Sequence, residues 1–274
     1  MQPAVSDAHR HIGALPDHAF YGGPPVNAAP DVPTTVAELV KRLDAEGTER
    51  CLVLPNYGVP VPDVAFGHNE LVLEAAGSDD RFRAALWVSP LAADAERTAG
   101  ALRNAGERGV KALKMSFLLG GRSDEESCQP QFDAIFAAAR EHDLVVHIHT
   151  SPGAASDIDH VGRLVERYAD DVAVHLVHFG GGMSGHIKLA AGTFLDWVEA
   201  GKRVYTDLSW AVGFAPRWLV AEIERRGVGH DRVLFASDEP WSDRAGELAK
   251  LQAAVGDGEL ARRVFSGSFA ALYD

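Results

Sequence analysis

Short apolar runs alternate with helix-like patterns along the whole chain. The runs have the length of buried strands, and the segments between them carry apolar residues three and four positions apart. Eight runs predict strands, over residues 5–11, 51–54, 83–88, 110–115, 144–149, 172–178, 204–208 and 232–238. Two further helices are predicted after the last strand, over residues 246–255 and 259–273. No break in composition divides the chain, so the pattern predicts a single-domain (β/α)8 TIM barrel over residues 1–274 with additional C-terminal helices.

Local signals support two of the predicted helices. Thr35 and Glu38 have the spacing of a capping box, in which each side chain accepts a hydrogen bond from the backbone of the other. Gly47 is the expected end of that helix, because glycine adopts the left-handed conformation of a C-terminal cap. Pro130 suits the first turn of a later helix, where its missing N–H is not needed.

An open, doubly wound sheet is the competing fold. Such a sheet usually carries a glycine fingerprint after its first strand, whereas the first strand here ends with His9 and His11. The glycine triplet at residues 180–182 lies late in the chain and lacks the spacing of a phosphate-binding loop. A tight turn between a strand and a helix is the favoured interpretation of that triplet.

Composition and charge narrow the class of partner. A hydrophobic content of 46% with 24% charged residues indicates a large soluble core. The formal net charge of −13 argues against nucleic acid or an anionic membrane as the main partner. A small-molecule substrate is expected instead, and it can be anionic because a metal ion reverses the field locally. A homodimer is the default expectation for the oligomeric state.

The cysteines and the absence of targeting signals bear on location. Cys51 and Cys128 lie in unrelated segments without metal-binding or redox spacing, so reduced thiols are predicted. No apolar run reaches the length of a membrane span. No basic region or cleavage signal precedes the first strand. A cytoplasmic location is therefore expected.

Side chains of the type that binds metal ions close several of the predicted strands. They are His9 and His11 on the first strand, His149 on the fifth, His178 on the sixth and Asp238 on the eighth. Residues two apart on a strand point to the same side, so the first two histidines face one ion together. The strand ends of a barrel meet at one mouth. Imidazole and carboxylate ligands with one open position are typical of a catalytic zinc-like centre.

These strand-end residues match a known family. The chain resembles the amidohydrolase superfamily, specifically the amidohydrolase-related (family 2) group of metal-dependent hydrolases and decarboxylases. The motifs are Asp7-Ala8-His9-Arg10-His11, His149-Thr150, His178-Phe179-Gly180-Gly181 and Ser237-Asp238-Glu239-Pro240. The resemblance covers essentially the whole chain, and the ordered set is more specific than any single motif.

The resemblance implies roles for these residues. It implies a divalent metal, foremost Zn²⁺ with Mn²⁺ or Fe²⁺ as alternatives, bound by His9, His11, His149 and Asp238. His178 is then implied as the histidine that polarises the substrate or moves a proton. Lys114 matches a basic position whose role varies in the family between substrate contact and a carbamylated metal bridge. A solvated strand end is the third interpretation of Lys114.

Other residues near the predicted mouth are candidates for contact with the substrate. Trp87, Trp210 and Trp241 follow strands three, seven and eight. Aromatic residues there either wall a planar substrate pocket or pack between helices and loops. Arg10 points away from the neighbouring histidines but lies at the mouth, so a contact with the substrate is one interpretation.

Three further polar residues receive structural predictions. His147 shares the strand parity of His149 but lies one layer deeper, which favours a hydrogen-bonded position behind the metal ligands. His175 has the opposite parity to His178 and is predicted to face the helical layer. Asp7 is expected to orient a histidine or to accept backbone hydrogen bonds.

The chemistry of such a centre predicts an enzyme. A divalent ion lowers the pKa of bound water from about 15.7 toward ~7. Asp238 and His178 are the predicted catalytic residues, the first to move the proton of that water and the second to stabilise developing charge. The favoured function is a hydrolase that cleaves a C–N or C–O bond in an amide, lactone or cyclic ester. The alternatives are nonoxidative decarboxylation of an aromatic or unsaturated acid, or a catalytically silent binding barrel.

Overall fold

Eight parallel strands form a nearly closed barrel. A computed structural model of the chain describes residues 5–14, 32–57, 62–107 and 109–274. The strands are β1 (Val5–Ile12), β2 (Thr48–Pro55), β3 (Phe82–Trp87), β4 (Val110–Met115), β5 (Val145–His149), β6 (Val174–Val177), β7 (Val204–Asp207) and β8 (Val233–Leu234). They pair in sequence order, each parallel to the next. The predicted (β/α)8 barrel is confirmed.

The last strand is joined to the first by backbone hydrogen bonds. The amide of Ala8 donates to the carbonyl of Phe235 at 2.9 Å, and the amide of Asp238 donates to the carbonyl of His9 at 2.8 Å. Glu239 forms a parallel bridge with Arg10 beyond the end of β8. These bonds bring the segment after β8 directly against β1.

Helices surround the strands. They are α1 (Val36–Glu46), α2 (Pro62–Gly67), α3 (Asn69–Ser78), α4 (Ala95–Arg103), α5 (Gln129–Glu141), α6 (Ile158–Tyr168), α7 (Gly182–Lys188), α8 (Phe194–Glu199), α9 (Phe214–Arg226), α10 (Arg244–Val255), α11 (Glu259–Arg262) and α12 (Ser268–Tyr273). Short 3₁₀ turns cover Ala92–Asp94, Phe117–Leu119, Glu126–Cys128, Ala154–Ser156 and His178–Gly180. π-helical turns cover Leu189–Thr193 and Arg263–Gly267. No helix in the described part of the chain is long and apolar enough to cross a membrane.

The local signals of the sequence act as predicted. The Thr35 hydroxyl accepts a hydrogen bond from the Glu38 amide, and the Glu38 carboxylate accepts one from the Thr35 amide. Gly47 ends α1 with a left-handed φ of 66°. Proline occupies the first turn of α5. Both cysteines are buried and free, which confirms the prediction of reduced thiols.

Apolar side chains fill the barrel near the start of the strands. One contiguous cluster there contains Ala8, Leu52, Ala85, Ala112, Val145, Ala173, Leu234 and Ala236. Phe269 and Tyr273 of α12 pack into the same cluster. A larger cluster between strands and helices contains Leu39, Phe132 and Ile223. Because side chains fill this end, open space is left at the opposite mouth, where the strands end.

Two strands end earlier than predicted, and the difference matters for the site. β6 stops at Val177 and β8 at Leu234, so His178 and Asp238 lie in turns with left-handed φ values of 63° and 56°. The alternation of a strand does not continue through such turns. The prediction that His175 faces the helical layer is therefore wrong, since its ring lies inside the barrel against His147, with centroids 4.5 Å apart.

Candidate metal centre and active site

Three side chains bring potential metal-ligand atoms together at the mouth of the barrel. His9, His178 and Asp238 each place one such atom within 4.8 Å of the others, and all three are buried. Nε2 of His9 lies 3.0 Å from Oδ1 of Asp238. Nε2 of His11 lies 3.2 Å from the same oxygen and 2.9 Å from Nε2 of His9. The structure thus brings four of the five predicted side chains together, with three histidines around the carboxylate of Asp238.

The hydrogen bonds of His9 and His11, the two histidines of β1, leave this cluster with an excess of hydrogen-bond acceptors. Nδ1 of His11 lies 2.9 Å from the carbonyl oxygen of Pro55, which can only accept, so Nδ1 carries the proton and Nε2 offers a lone pair. Nδ1 of His9 is buried and has no hydrogen-bond partner among the described residues. Burial, reinforced by the charge of Lys114, holds the pKa of His9 well below its usual range, so the ring is neutral. Neutral imidazoles facing a buried carboxylate fit a divalent cation.

His149 lies on the wall of the same mouth but outside the closest group. Its ring meets that of His178 edge-on, with centroids 4.9 Å apart. The hydroxyl of Tyr57 lies 3.5 Å from Nδ1 of His149. The geometry therefore places His178 nearer to Asp238 and His9 than the predicted ligand His149.

Backbone strain is concentrated in the turns that carry the site. Four of the five non-glycine residues with positive φ in the described part of the chain belong to these turns, namely His178, Phe179, Trp210 and Asp238. Such conformations cost about 1–3 kcal/mol each and persist where the surroundings fix them. Hydrogen bonds do so here, because the amide of Trp210 donates to Glu247 at 3.1 Å and the amide of His178 donates to Asp207 at 3.3 Å.

The glycine triplet at residues 180–182 forms the tight turn that the sequence predicts. All three residues have positive φ, from 60° to 82°. At Gly181 a Cβ atom would lie 2.4 Å from backbone atoms of Ser151, so no side chain fits. The triplet lets the turn after β6 approach the loop after β5, which brings His178 towards the centre of the mouth.

A cavity of about 480 Å³ opens above the cluster. Its lining residues are His11, Tyr57, Leu118, His149, Thr150, Ser151, Pro152, His178, Gly181, Gly182, Trp210, Asp238 and Trp241. Trp210 and Trp241 thus lie where the sequence predicts contact with a substrate. No lysine or arginine belongs to this lining among the described residues. The cavity joins aromatic walls to a polar floor, as small-molecule sites commonly do.

Trp210 also contacts the carboxylate at the centre of the site. Its indole N–H donates a hydrogen bond of 2.6 Å to Oδ2 of Asp238. Since Oδ1 faces His9 and His11, both oxygens of Asp238 are engaged. Trp210 is 54% exposed although its indole nitrogen is held, so it forms part of the open wall of the cavity.

The structure does not bring the other predicted substrate residues to the cavity. Trp87 is buried and packs against Tyr57, with ring centroids 4.9 Å apart. Arg10 is fully buried and forms a two-armed pair with Glu46 and a contact with Glu239. The guanidinium group points into the layer between β1 and the helices because alternate strand residues face opposite sides. Arg10 therefore links the segment after β8 to β1 and α1 rather than contacting a substrate.

Lys114 lies in a deeper layer of the barrel. It is fully buried, which makes the interpretation as a solvated strand end wrong, and its Nζ donates to Nδ1 of His147 at 3.3 Å. Nε2 of His147 donates in turn to the carbonyl of Ala8 at 3.3 Å. Burial lowers the pKa of Lys114 to about 7 against the opposing charges of Asp238 and Asp207. The predicted hydrogen-bonded position of His147 is confirmed.

Asp7 joins the first strand to the segment after the last. Its Oδ1 accepts hydrogen bonds from the amides of His9 at 3.3 Å and Ser237 at 2.9 Å. Burial raises the pKa of Asp7 to about 6, against the opposing charge of Arg10. The prediction that Asp7 accepts backbone hydrogen bonds is confirmed.

Two residues that contact His178 are absent from the sequence-based predictions. Nδ1 of His178 lies 2.7 Å from the hydroxyl oxygen of Ser209, and the hydroxyl lies 2.5 Å from Oδ1 of Asp207. Burial alone would raise the pKa of Asp207, but hydrogen bonds from His175 and Ser209 hold it at about 2. A carboxylate that closes the seventh strand, as Asp238 follows the eighth, was the available signal.

The family of the chain follows from comparison with known proteins. A family model described as Amidohydrolase matches residues 7–274. The chain therefore belongs to the amidohydrolase family, as its strand-end motifs indicate. A search of curated proteins finds no match.

Solved structures with the same barrel cover the chain almost completely. A manganese-bound 5-carboxyvanillate decarboxylase from Novosphingobium aromaticivorans is 17% identical, with a TM-score of 0.68 over 98% of this chain and 97% of its own. A zinc-bound amidohydrolase from Burkholderia multivorans is 14% identical, with a TM-score of 0.67 over 98% and 99%. A probable 2-pyrone-4,6-dicarboxylic acid hydrolase from Acinetobacter baumannii is 15% identical, with a TM-score of 0.66 over 98% of each chain. At these identities the similarity establishes the fold.

Family and geometry together indicate a divalent-metal enzyme site. The compact group of His9, His178 and Asp238 supplies the ligand types that such an ion prefers. Similar structures carry manganese in one case and zinc in another. Decarboxylases of 2,6-dihydroxybenzoate and 5-carboxyvanillate recur among the similar structures.

Proposed function

We propose that the protein is a metal-dependent nonoxidative decarboxylase of a small, planar aromatic or unsaturated monocarboxylic acid. His9, His11 and Asp238 hold the divalent ion, and His149 lies beside them on the cavity wall. The imidazole-rich set favours zinc over manganese. His178 is the residue that delivers a proton to the substrate.

The hydrogen bond between Trp210 and Asp238 is the observation that favours decarboxylation over hydrolysis. Hydrolysis by the scheme expected from the sequence needs an oxygen of Asp238 to take a proton from water and pass it to the leaving group. One oxygen faces His9 and His11, and the indole N–H of Trp210 holds the other at 2.6 Å. His178 is then the group better placed to carry a proton, and decarboxylation requires a single proton delivered to carbon.

The lining of the cavity defines the substrate class. Tyr57, Trp210 and Trp241 offer aromatic surfaces that suit a flat ring or a conjugated chain. No lysine or arginine lines the described part of the cavity, and the sequence of residues 15–31 and 58–61 contains neither. A second carboxylate on the substrate would therefore meet no lysine or arginine in the described lining. A monoacid fits this lining better than a diacid.

The residues of the site support the reaction as follows. His9, His11 and Asp238 would hold a divalent cation, which would supply positive charge for the substrate carboxylate. The aromatic walls fix the plane of the substrate over His178. As the bond between the ring carbon and the carboxylate breaks, carbon dioxide leaves and the electron pair stays on the carbon. The imidazolium form of His178 delivers a proton to that carbon from Nε2, and the ring regains a proton from solvent.

Hydrolysis of a lactone or cyclic ester is the second candidate. Trp210 is 54% exposed, so its side chain has room to move away from Asp238 and free the second carboxylate oxygen. A similar structure is described as a probable 2-pyrone-4,6-dicarboxylic acid hydrolase, which supports this second candidate at the level of the fold.

A paired substrate panel tests the proposal. Zinc-reconstituted protein is incubated with hydroxybenzoates and unsaturated monoacids, with release of carbon dioxide as the readout, and with lactones, with ring opening as the readout. Carbon dioxide release from a monoacid supports the proposal, and ring opening of lactones without any carbon dioxide release contradicts it. Trp210→Phe is expected to slow decarboxylation by loosening Asp238. Trp218→Phe, at another partly exposed tryptophan outside the cavity lining, is the matched control.

A further inference from the structure

A continuous chain of hydrogen bonds runs from the C-terminal helix α12 through the barrel to His178. The hydroxyl of Tyr273 lies 2.7 Å from Nδ1 of His175, and Nε2 of His175 lies 3.1 Å from Oδ2 of Asp207. Oδ1 of Asp207 lies 2.5 Å from the hydroxyl of Ser209, which lies 2.7 Å from Nδ1 of His178. All five side chains are buried. Such a chain has few ways to arrange its protons.

Asp207 fixes the direction of the chain because Oδ1 can only accept. That oxygen already accepts hydrogen bonds from the backbone amides of Ser209 at 3.0 Å and His178 at 3.3 Å. The 2.5 Å contact between Oδ1 and the Ser209 hydroxyl oxygen therefore requires the hydroxyl proton to lie between them. Two unprotonated oxygens at that distance would repel each other.

The single proton of Ser209 determines the state of His178. Since the hydroxyl donates to Asp207, its oxygen can only accept from the histidine ring. Nδ1 of His178 must then carry a proton. The other nitrogen, Nε2, points towards the cavity side and lies 3.7 Å from Oδ2 of Asp238.

We propose that Asp207 and Ser209 are positioning residues that hold His178 in the tautomer protonated at Nδ1, with the lone pair of Nε2 directed into the cavity. The tautomer follows from the hydrogen bonds alone, whereas its use in proton transfer rests on the proposed function. The neutral ring is thereby set to accept a proton at Nε2 and to return it there. The carboxylate of Asp207 lies 4.0 Å from Nδ1 of His178. It stabilises the imidazolium that exists after Nε2 accepts the proton and before it returns it.

The far end of the chain anchors Asp207. Burial raises the pKa of Tyr273, so its phenol keeps the proton and donates to His175. Nε2 of His175 then donates to Asp207, which leaves both carboxylate oxygens with partners. One turn after β7 thus carries Ser209 against His178 and Trp210 against Asp238. The two central side chains of the site are oriented by neighbouring residues.

Long-range ¹H–¹⁵N NMR of histidine-labelled, zinc-loaded full-length protein tests the proposal directly. His178 is assigned by the signals lost in His178→Gln. The expected wild-type pattern has a protonated Nδ1 and an unprotonated or metal-bound Nε2, and it persists after zinc is removed by chelation. A proton on Nε2 with an unprotonated Nδ1 in the wild type overturns the proposal. This measurement involves no turnover, so it stands or falls apart from the decarboxylase assignment.

Variants of Ser209 test whether the hydroxyl sets the tautomer. Ser209→Ala is expected to give a mixture of both tautomers and to lower kcat by about 10–100-fold, the usual effect of losing such a supporting partner, with a smaller change in KM. Ser209→Thr keeps a hydroxyl and is expected to restore the single pattern. Ser89→Ala removes another buried serine hydroxyl, which accepts from the amide of Leu91, and serves as the control. An unchanged His178 pattern in Ser209→Ala contradicts the proposal, and the wild-type spectrum decides the tautomer should that variant not fold.

Discussion

Two layers of histidines lie inside the barrel, and they differ in whether the protein itself satisfies their ring nitrogens. In the deeper layer, His147 pairs with Lys114 and the carbonyl of Ala8, and His175 pairs with Tyr273 and Asp207. Every ring nitrogen of this layer has a partner. A buried polar group with all partners present stabilises and orders the core.

The layer at the mouth is different. Nδ1 of His9 has no partner among the described residues, and the Nε2 atoms of His9 and His11 crowd within 3.2 Å of one oxygen of Asp238. Lone pairs that converge without enough protons are costly unless a cation joins them. Buried histidines occur in both layers, so the direction of the lone pairs distinguishes the site from the packing.

Removal of a mouth histidine is expected to have the largest effect. His9→Gln removes a neutral imidazole ligand, so zinc affinity should fall by more than the roughly 10–100-fold that loss of an outer partner costs. Competition with a chromophoric chelator measures this affinity. A zinc affinity equal to that of the wild type would remove His9 from the proposed ligand set.

Lys114 gives the deeper layer a pH dependence. Its pKa falls from 10.5 to about 7 on folding, so between these values the unfolded state binds one more proton than the folded state. The stability contributed by this group therefore rises with pH, by about 1.4 kcal/mol per unit, and the penalty is complete below pH 7. Lys114→Met removes this term.

Urea denaturation of metal-free wild type and Lys114→Met at pH 7 and pH 9 measures the difference. The free energy of unfolding of Lys114→Met minus that of the wild type should decrease by about 2–3 kcal/mol from pH 7 to pH 9. If this difference in unfolding free energy stays constant or increases with pH, the lowered pKa of a buried Lys114 is contradicted.

His147→Leu separates packing from metal binding. The substitution removes both ring nitrogens and leaves the Lys114 amine and the carbonyl of Ala8 without these partners. The free energy of unfolding should fall by about 1–3 kcal/mol as a result. Zinc affinity should fall much less than in His9→Gln, because the His147 ring packs edge-on against the ring of His9, with centroids 4.9 Å apart, but is not one of the grouped ligand side chains. A loss of affinity comparable to that of His9→Gln would erase the distinction between the layers.

The smallest effect is expected from the tryptophans. Trp241→Phe alters a wall of the cavity and should raise KM by the equivalent of about 1 kcal/mol, the order of an aromatic contact. Trp218→Phe, at a tryptophan exposed to the same 36% as Trp241 and outside the cavity lining, is the matched control and should leave KM unchanged. Steady-state kinetics on the accepted substrate measure both, and equal effects would contradict the described lining.

Hydrophobic periodicity carries most of the information about the fold. The capping box at Thr35, the stop at Gly47 and the strand from Val110 to Met115 follow from local pattern, and the structure matches them. The barrel also explains why strand-end residues meet, so His9, His11 and Asp238 could be placed together from sequence. These predictions need no knowledge of how turns are bent.

The remainder depends on turn conformation and side-chain direction. His178 follows β6 in a left-handed turn, so strand parity misplaced His175. Ser209 and Asp207 reach His178 through hydrogen bonds between turns, which no local pattern reveals. In the sequence, Arg10 and Lys114 look like substrate contacts. In the structure both are buried and form hydrogen bonds with other side chains. Tertiary geometry decides whether a polar residue faces a cavity or a partner.

X-ray absorption at the zinc edge of reconstituted wild type and His9→Gln is the most direct measurement of the metal centre. The proposed centre predicts one zinc ion with at least two imidazole ligands and an oxygen ligand in the wild type, and loss of imidazole scattering in the variant. Sulfur ligands from Cys51 or Cys128, or an unchanged spectrum in His9→Gln, would contradict a centre built from His9, His11 and Asp238.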